Sequence, residues 1–420
     1  MSFDPFAFVP LFGPRRFLPR WETWQLWWLP VLVTALVAGV NLIHGTWGSP
    51  DDFQLGSDAK RVFFGLTDPD RVSRSAPDFP LVRDAGSWFL AFTIVSGTLL
   101  LHRQWVLMRR ALPALRKYNA IIPRDEPLRL TFFSWLLGIN RKLKVGNRLC
   151  PAHEALDQFE RKMFEPSKKK KVVTLLVLLV LSVAGAAALR GGEREGIFSL
   201  LAPGDLDQAG RDRWQQEAYH HWWAGDSYFF GHWLYVGLAV FAVLLILSFN
   251  TGGLLALYIV IALRYVAHPS ADWWNRDGRY GWRPVAEIFR TVRLAMALLG
   301  GTLSVTVLLL GPRHIVWIIW LVVIYLVFLP LFSMVPLLAF RPVARAAVDR
   351  RVKALTAEMA DRGIDPHRDI VDAAPFLAEI DRCWATRIRP LSLARLPFST
   401  YVTIWLLPVA LTVLQIVYAV

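Results

Sequence analysis

The chain alternates between long apolar blocks and charged connectors. An α-helix rises about 1.5 Å per residue, so about twenty apolar residues reach across a hydrocarbon core of about 30 Å. Seven blocks come close to or exceed that length. We therefore predict an all-α fold, a polytopic membrane bundle whose spans cover residues 25–43, 86–101, 172–189, 231–249, 294–310, 315–339 and 397–420.

The fourth block is longer than one crossing needs. Tyr228 to Leu263 contains no Asp, Glu, Lys or Arg, and as one helix it would be ~54 Å long. Asn250 to Gly253 is a possible break, so the block could cross once or twice. Two crossings would place the connector from Arg341 to Arg395, which has eleven basic residues, outside. We therefore favour one crossing, with the remainder up to His268 either projecting into the cytosol or lying along the cytosolic face of the membrane.

Charge sets the orientation of the bundle. His102 to Lys171 holds seventeen Lys or Arg residues against six acidic ones, which marks a cytosolic connector by the positive-inside rule. The N-terminus is then cytosolic and the C-terminus external. The predicted parts outside the spans are an aromatic and basic leader (1–24), external loops (44–84 and 190–227), the basic cytosolic loop with amphipathic helices (102–171), a second cytosolic loop (269–293) and a cytosolic helical segment (341–396).

The net charge of +14 and the pI near 10.1 could indicate nucleic-acid binding. The basic residues lie in connectors, however, where orientation and attraction to anionic phospholipids explain them, so we predict no nucleic-acid partner. Lys168, Lys169, Lys170 and Lys171 are candidates for lipid-headgroup binding, or a plain orientation signal. Leu130 to Ile139 is too short to cross, and we expect it at the interface or packed under the bundle. The predicted location is a bacterial inner membrane.

Candidate contacts between subunits lie on the cytosolic helix that follows the sixth span. Val348, Val352, Leu355 and Met359 recur at helical spacing among charged residues, which predicts an apolar stripe that needs a partner. That partner is either another segment of the same chain or a second subunit. Cys150 and Cys383 fall in cytosolic segments, and we expect free thiols there.

Almost no charged residue falls inside a predicted span, which disfavours proton-coupled transport. The seventh span has the densest set of neutral polar residues: Thr400, Tyr401, Thr403, Thr412 and Gln415. Such groups can line a hydrated path, although interhelical hydrogen bonds are the simpler explanation for most of them. Our first hypothesis is a passive channel or carrier that acts as a homo-oligomer without a cofactor.

Two other functions stay open. One is a membrane-embedded subunit that docks a soluble cytosolic partner through its basic loops. The other is an enzyme on the external face, because His221 and Asp226 have the H-x4-D spacing in which a histidine acts as general base. Their neighbours Trp222 and Trp223 also fit an ordinary interfacial aromatic belt. His220, His221 and His232 are weak candidates for metal ligands.

Overall fold

A computed structural model shows a mostly helical protein, as predicted. It describes residues 28–46, 81, 84–124, 131–145, 148–164, 173, 176–187, 207–225, 227–272, 279–310, 319–320, 322–327, 331, 335–385 and 406–414.

The helices fall into long ones that form the framework and short ones that pack on it. The long helices are α2 (Ala85–Lys117), α8 (Phe229–Val266), α9 (Arg283–Leu310) and α10 (Val335–Asp361). The shorter ones are α1 (Trp28–His44), α3 (Phe132–Leu136), α4 (Ile139–Lys142), α5 (Ala155–Phe164), α6 (Leu176–Ala187), α7 (Gln208–His221) and α11 (Ile370–Ala385).

Helix α8 continues without interruption through the predicted break at Asn250 to Gly253. Its 38 residues give a length of ~57 Å. A chain that crossed a bilayer twice within this block would have to reverse direction, and a continuous helix does not. The possible break is therefore wrong, and the helix has the geometry of a single crossing with an extension.

Helices α2 and α9 also reach beyond the predicted spans. Helix α2 continues from Leu101 to Lys117, with Pro113 inside its last turns, and α9 begins at Arg283 rather than Leu294. Both helices pack closely against each other and against α8. Residues that the sequence assigned to cytosolic loops thus extend the central helices.

We use the name basic domain for the part of the protein that surrounds the extended ends of these helices. It comprises residues 102–164, 254–272, 279–293 and 339–385 in their described parts. One hydrophobic core joins Met108 and Leu112 of α2, Leu263 of α8, Phe289 of α9 and Val343 of α10. The basic domain is therefore continuous with the central helices and is not a separate body on a linker.

Two short antiparallel sheets fix the connections in this domain. Strand β1 (Ile121–Ile122) follows α2 and pairs with β4 (His268–Pro269), which follows α8. Strands β2 (Lys144–Val145) and β3 (Arg148–Leu149) form a hairpin between α4 and α5. The first pair ties together the ends of α2 and α8, two elements that lie far apart in sequence.

Two described helices are long and apolar enough to cross a membrane, within Leu90–Lys117 and Phe229–Val266. Helices α1 and α6 are apolar but shorter. Most of the predicted sixth and seventh spans lies outside the described residues. The helical fold is thus confirmed, whereas a bundle of seven spans is not established by the described residues.

Candidate functional site

The burial of α8 changes along its length. In the first half, buried residues recur every three or four positions, as at Gly231, Tyr235, Ala239 and Ala242. The remaining first-half positions are exposed or half-buried. From Leu255 to Val266 most residues are buried, on several sides of the helix, and only Arg264 is exposed. The first half therefore packs along one face only, and the second half lies inside the basic domain.

The exposed side chains of the first half are large and apolar. Phe229, Phe230, Trp233 and Phe241 are all exposed, and so is Leu254 at the start of the second half. The neighbouring helices show the same feature, since α6 exposes Val177, Leu179, Val180 and Val183 among others. Contiguous apolar surface of this extent is rare on proteins surrounded by water.

A group of buried polar side chains lies where α2, α8 and α9 meet. Gln104 is fully buried on α2, and a Cβ atom at Gly252 of α8 would approach its amide atoms to 3.0 Å. Glycine at 252 therefore makes room for this side chain. Within the part of the chain that the structure describes, neither amide atom of Gln104 has a hydrogen-bond partner, and neither does the buried hydroxyl of Ser248 one turn earlier.

A charged side chain lies at the same height along these helices. Thr93 and Thr302 approach to 3.4 Å between their hydroxyl oxygens, which sets an antiparallel register between α2 and α9. Continued along both helices, this register brings buried His102 to the level of Arg293, which is only 9% exposed. The sequence placed Arg293 at the end of a span, whereas the structure buries it among the central helices.

An aromatic cluster closes the opposite end of the central helices. We use this name for Trp214, Tyr219, Trp222, Trp223 and Tyr235, which pack together. Asp84, the residue that caps α2, accepts hydrogen bonds from the indole nitrogens of Trp222 and Trp223 at 2.6 and 2.7 Å. Two helix termini, those of α2 and α7, are thus joined through one carboxylate.

The candidate enzyme residues lie beside this cluster. His220 and His221 are exposed at the end of α7, while His232 lies half-buried on α8 against the ring of Trp233, with centroids 5.7 Å apart. Asp226 lies outside the described residues. No group of three His, Cys, Asp or Glu side chains able to hold a metal ion occurs among the residues that the structure describes.

The predicted cytosolic stripe has a partner in its own chain. Val348 and Leu355 are buried in the core of the basic domain, Val352 packs against it, and Met359 is also buried. Helix α11 packs on α10. In the described structure, the apolar stripe is thus covered by other segments of the same chain, which is one of the two partners considered from the sequence.

Helix α11 presents a further apolar face that the sequence analysis did not single out. Ala373 and Cys383 are buried toward the core. Ile370, Leu377 and Trp384 are exposed and lie one heptad apart, which places them on one side of the helix. The signal for this face was present in the sequence as a second set of apolar positions.

The pore candidates are only partly described. Thr412 is buried, and its hydroxyl donates to the carbonyl of Pro408, one turn earlier in the same helical segment. Thr400, Tyr401, Thr403 and Gln415 lie outside the described residues, and so do Lys168, Lys169, Lys170 and Lys171. The geometry around Thr412 is that of a hydroxyl satisfied by its own helix.

Burial affects the two cysteines of the basic domain. It raises the pKa of the Cys150 thiol and of the Cys383 thiol, in each case mainly by removing water from the charged form. Both thiols are free. Buried thiols of raised pKa are poor nucleophiles, so neither is suited to catalysis.

Comparison with known proteins adds no assignment, since no family model, no curated protein and no solved structure matches this chain.

Proposed function

We propose that this chain is an integral membrane protein whose helical bundle anchors the basic domain at the cytosolic face, where it docks a soluble partner. The change of burial along α8 carries this proposal. The first half of this helix exposes one apolar side, which includes Phe229, Trp233 and Phe241 and needs an apolar solvent, whereas the next turns of the same helix are largely enclosed by protein. The bilayer boundary then falls close to Leu254.

The length of the exposed part agrees with this boundary. Phe229 and Leu254 are exposed at the two ends of the apolar surface of α8. At the rise of an α-helix, these two residues lie ~37 Å apart along the helix axis. A hydrocarbon core of about 30 Å with its interfacial edges accommodates that length. The aromatic cluster and Trp233 would then lie at the external headgroup level, where tryptophan is enriched.

The surface of the basic domain supports docking. Its framework is rigid, because three helices continue into it from the bundle. Its charge is strongly positive, which favours an acidic partner. The exposed face of Ile370, Leu377 and Trp384 on α11 adds an apolar surface of the kind that forms the centre of interfaces.

Purification in mild detergent tests the docking function. A second, different subunit that copurifies at fixed stoichiometry is expected, and Leu377→Asp should release it, since a charge would be desolvated in the contact. Ala354→Asp on the exposed side of α10 is the matched control and should retain the subunit. A symmetric ring of this chain alone, unaffected by Leu377→Asp, would contradict docking.

A passive channel or carrier formed by a homo-oligomer is the second candidate. The buried, unpartnered Ser248 of α8 and Gln104, which packs on Gly252 at the proposed bilayer boundary, favour it, because polar groups among membrane helices commonly mark a hydrated path. Cysteines at Ser248, Thr403 and Gln415 should then react with aqueous thiol reagents. Failure of all three to react from either side would contradict this candidate.

The location and the lipid partners complete the proposal. The charge distribution fits a bacterial inner membrane, with Lys168 to Lys171 against anionic phospholipid headgroups. A minor alternative, an external-face enzyme, depends on His221 and Asp226. Unchanged activity after His221→Ala, in any assay that detects activity, would dispose of that alternative.

A further inference from the structure

Helix α3 exposes a compact apolar patch on the basic domain. Phe132, Trp135 and Leu136 are 76%, 57% and 62% exposed, and the rings of Phe132 and Trp135 stack with their centroids 5.8 Å apart. We use the name α3 patch for these three residues. Neighbouring Ile139 and Leu143 are instead fully buried in the core, so α3 is fastened to the domain while its apolar side stays outside.

Local hydrogen bonds fix the turn that carries the α3 patch. The Ser134 hydroxyl is buried, donates to the Thr131 carbonyl at 2.8 Å and contacts the Asn140 amide oxygen at 3.0 Å. The backbone N–H of Thr131 in turn donates to the Ser134 oxygen. A turn fixed in this way keeps the aromatic side chains directed away from the core.

The surroundings of the α3 patch are basic. Residues 131–153 contain no Asp or Glu. Arg141, Lys144 and Arg148 are exposed, while Lys142 lies over the Tyr258 ring, 4.6 Å from its centroid. Aromatic side chains in a segment that carries basic residues and no acidic ones match the chemistry of an anionic membrane surface.

The segment that follows α3 lies close to the proposed bilayer boundary at Leu254, because Lys142 contacts the ring of Tyr258, one helical turn beyond Leu254. Helix α5 starts beside the end of α2, where Arg116 pairs with Asp157. At its far end, the Lys162 ammonium donates to the Lys144 carbonyl. A short connector containing the predicted headgroup lysines then leads into the apolar helix α6.

We propose that the α3 patch inserts into the cytosolic headgroup layer of the same membrane, with Arg141, Lys144 and Arg148 on acidic lipid headgroups. This inference rests on the proposed membrane integration and goes beyond it, because it assigns a lipid-binding surface to the basic domain. The sequence left the stretch from Leu130 to Ile139 either interfacial or packed under the bundle. The structure divides it, with the α3 patch free and Ile139 in the core.

Spin labelling of the full chain tests the insertion. Leu136→Cys, labelled with a nitroxide, is compared with labelled Ala354→Cys in vesicles of zwitterionic lipid with about a third anionic lipid. The native Cys150 and Cys383 are buried and do not compete. We expect the label at 136 to favour oxygen over a water-soluble nickel chelate at least fivefold more than the label at 354 does. Equal values at the two positions would overturn the inference.

A charge variant tests the role of the anionic lipid. Replacing Arg141, Lys144 and Arg148 together with Gln should at least double the collision rate of the nickel chelate with the label at 136. No change would refute the headgroup contact. Retention of the protein in membranes after alkaline extraction separates the two proposals, because an extracted protein refutes membrane integration, whereas a retained protein with a water-exposed label refutes only the α3 insertion.

Discussion

Replacing Asp84 by Ala should destabilise the protein far more than the loss of an ordinary helix cap. Its carboxylate accepts the backbone N–H of Ser87 at 2.9 Å as the cap of α2, and it also accepts the two indole N–H groups of Trp222 and Trp223. Both indole side chains are buried. A lost cap costs about 1 kcal/mol, and each hydrogen bond to a charged acceptor is worth about 1.5–3 kcal/mol. These contributions share one carboxylate and are not fully additive, so we expect a loss of about 3–5 kcal/mol.

Asp207→Ala provides the matched control. Asp207 caps α7 by accepting the backbone N–H of Gly210 at 2.8 Å, but it is exposed and, among the described residues, has no hydrogen bond to a second element. Its loss should cost about 1 kcal/mol. Equilibrium unfolding in mixed micelles titrated with SDS, followed by circular dichroism, measures both values. Equal losses for the two variants would show that the contacts of Asp84 with Trp222 and Trp223 add no stability. Trp223→Phe, which keeps an aromatic side chain but removes the N–H donor and part of the buried ring system, should also destabilise the protein.

Two further predictions use matched pairs within the chain. Gly231→Ala should lower the melting temperature, because the added Cβ would lie 2.1 Å from the carbonyl oxygen of Trp223. A Cβ at Gly237 would have no atom within 4 Å, so Gly237→Ala should leave the melting temperature unchanged or raise it. A larger loss for Gly237→Ala than for Gly231→Ala would contradict this packing. Cys150 and Cys383 should resist maleimide at neutral pH and react in SDS, since burial raises the pKa of both thiols; labelling of either thiol in the folded protein would contradict the described core.

The sequence predicted the helical class and the course of several helices because these depend on local patterns. The spacing of apolar residues is sufficient to predict helix α10 with its stripe and helix α11. The absence of charge from Tyr228 to Leu263 is likewise sufficient for a long helix. Periodicity reports which face of a helix is apolar, and that information is contained in neighbouring residues.

The buried polar residues could not be predicted in the same way. Gln104 reads as part of a charged connector, and only the packing of α2 against Gly252 shows that it is enclosed. Asp84 reads as one of seven acidic residues in an external loop, and its partners Trp222 and Trp223 follow more than a hundred positions later. Such contacts depend on how helices pack, which no local pattern contains.

The extent of the helices was also underestimated for a physical reason. Charged residues at Arg103, Arg109 and Arg110 end the apolar block of α2, and a hydropathy pattern ends the span there. The helix continues to Lys117 because its next turns pack into the core of the basic domain. The length of the apolar block therefore does not give the length of the helix in this chain.

The proposed topology places the two ends of α8 on opposite sides of a membrane, with the basic domain in the cytosol. Inserting a phosphatase reporter that is active only outside the cytosol tests it at two exposed sites, Asp207 before α7 and Gly363 after α10. We predict an active reporter at Asp207 and an inactive one at Gly363. Activity at Gly363, or the same result at both sites, would contradict the account.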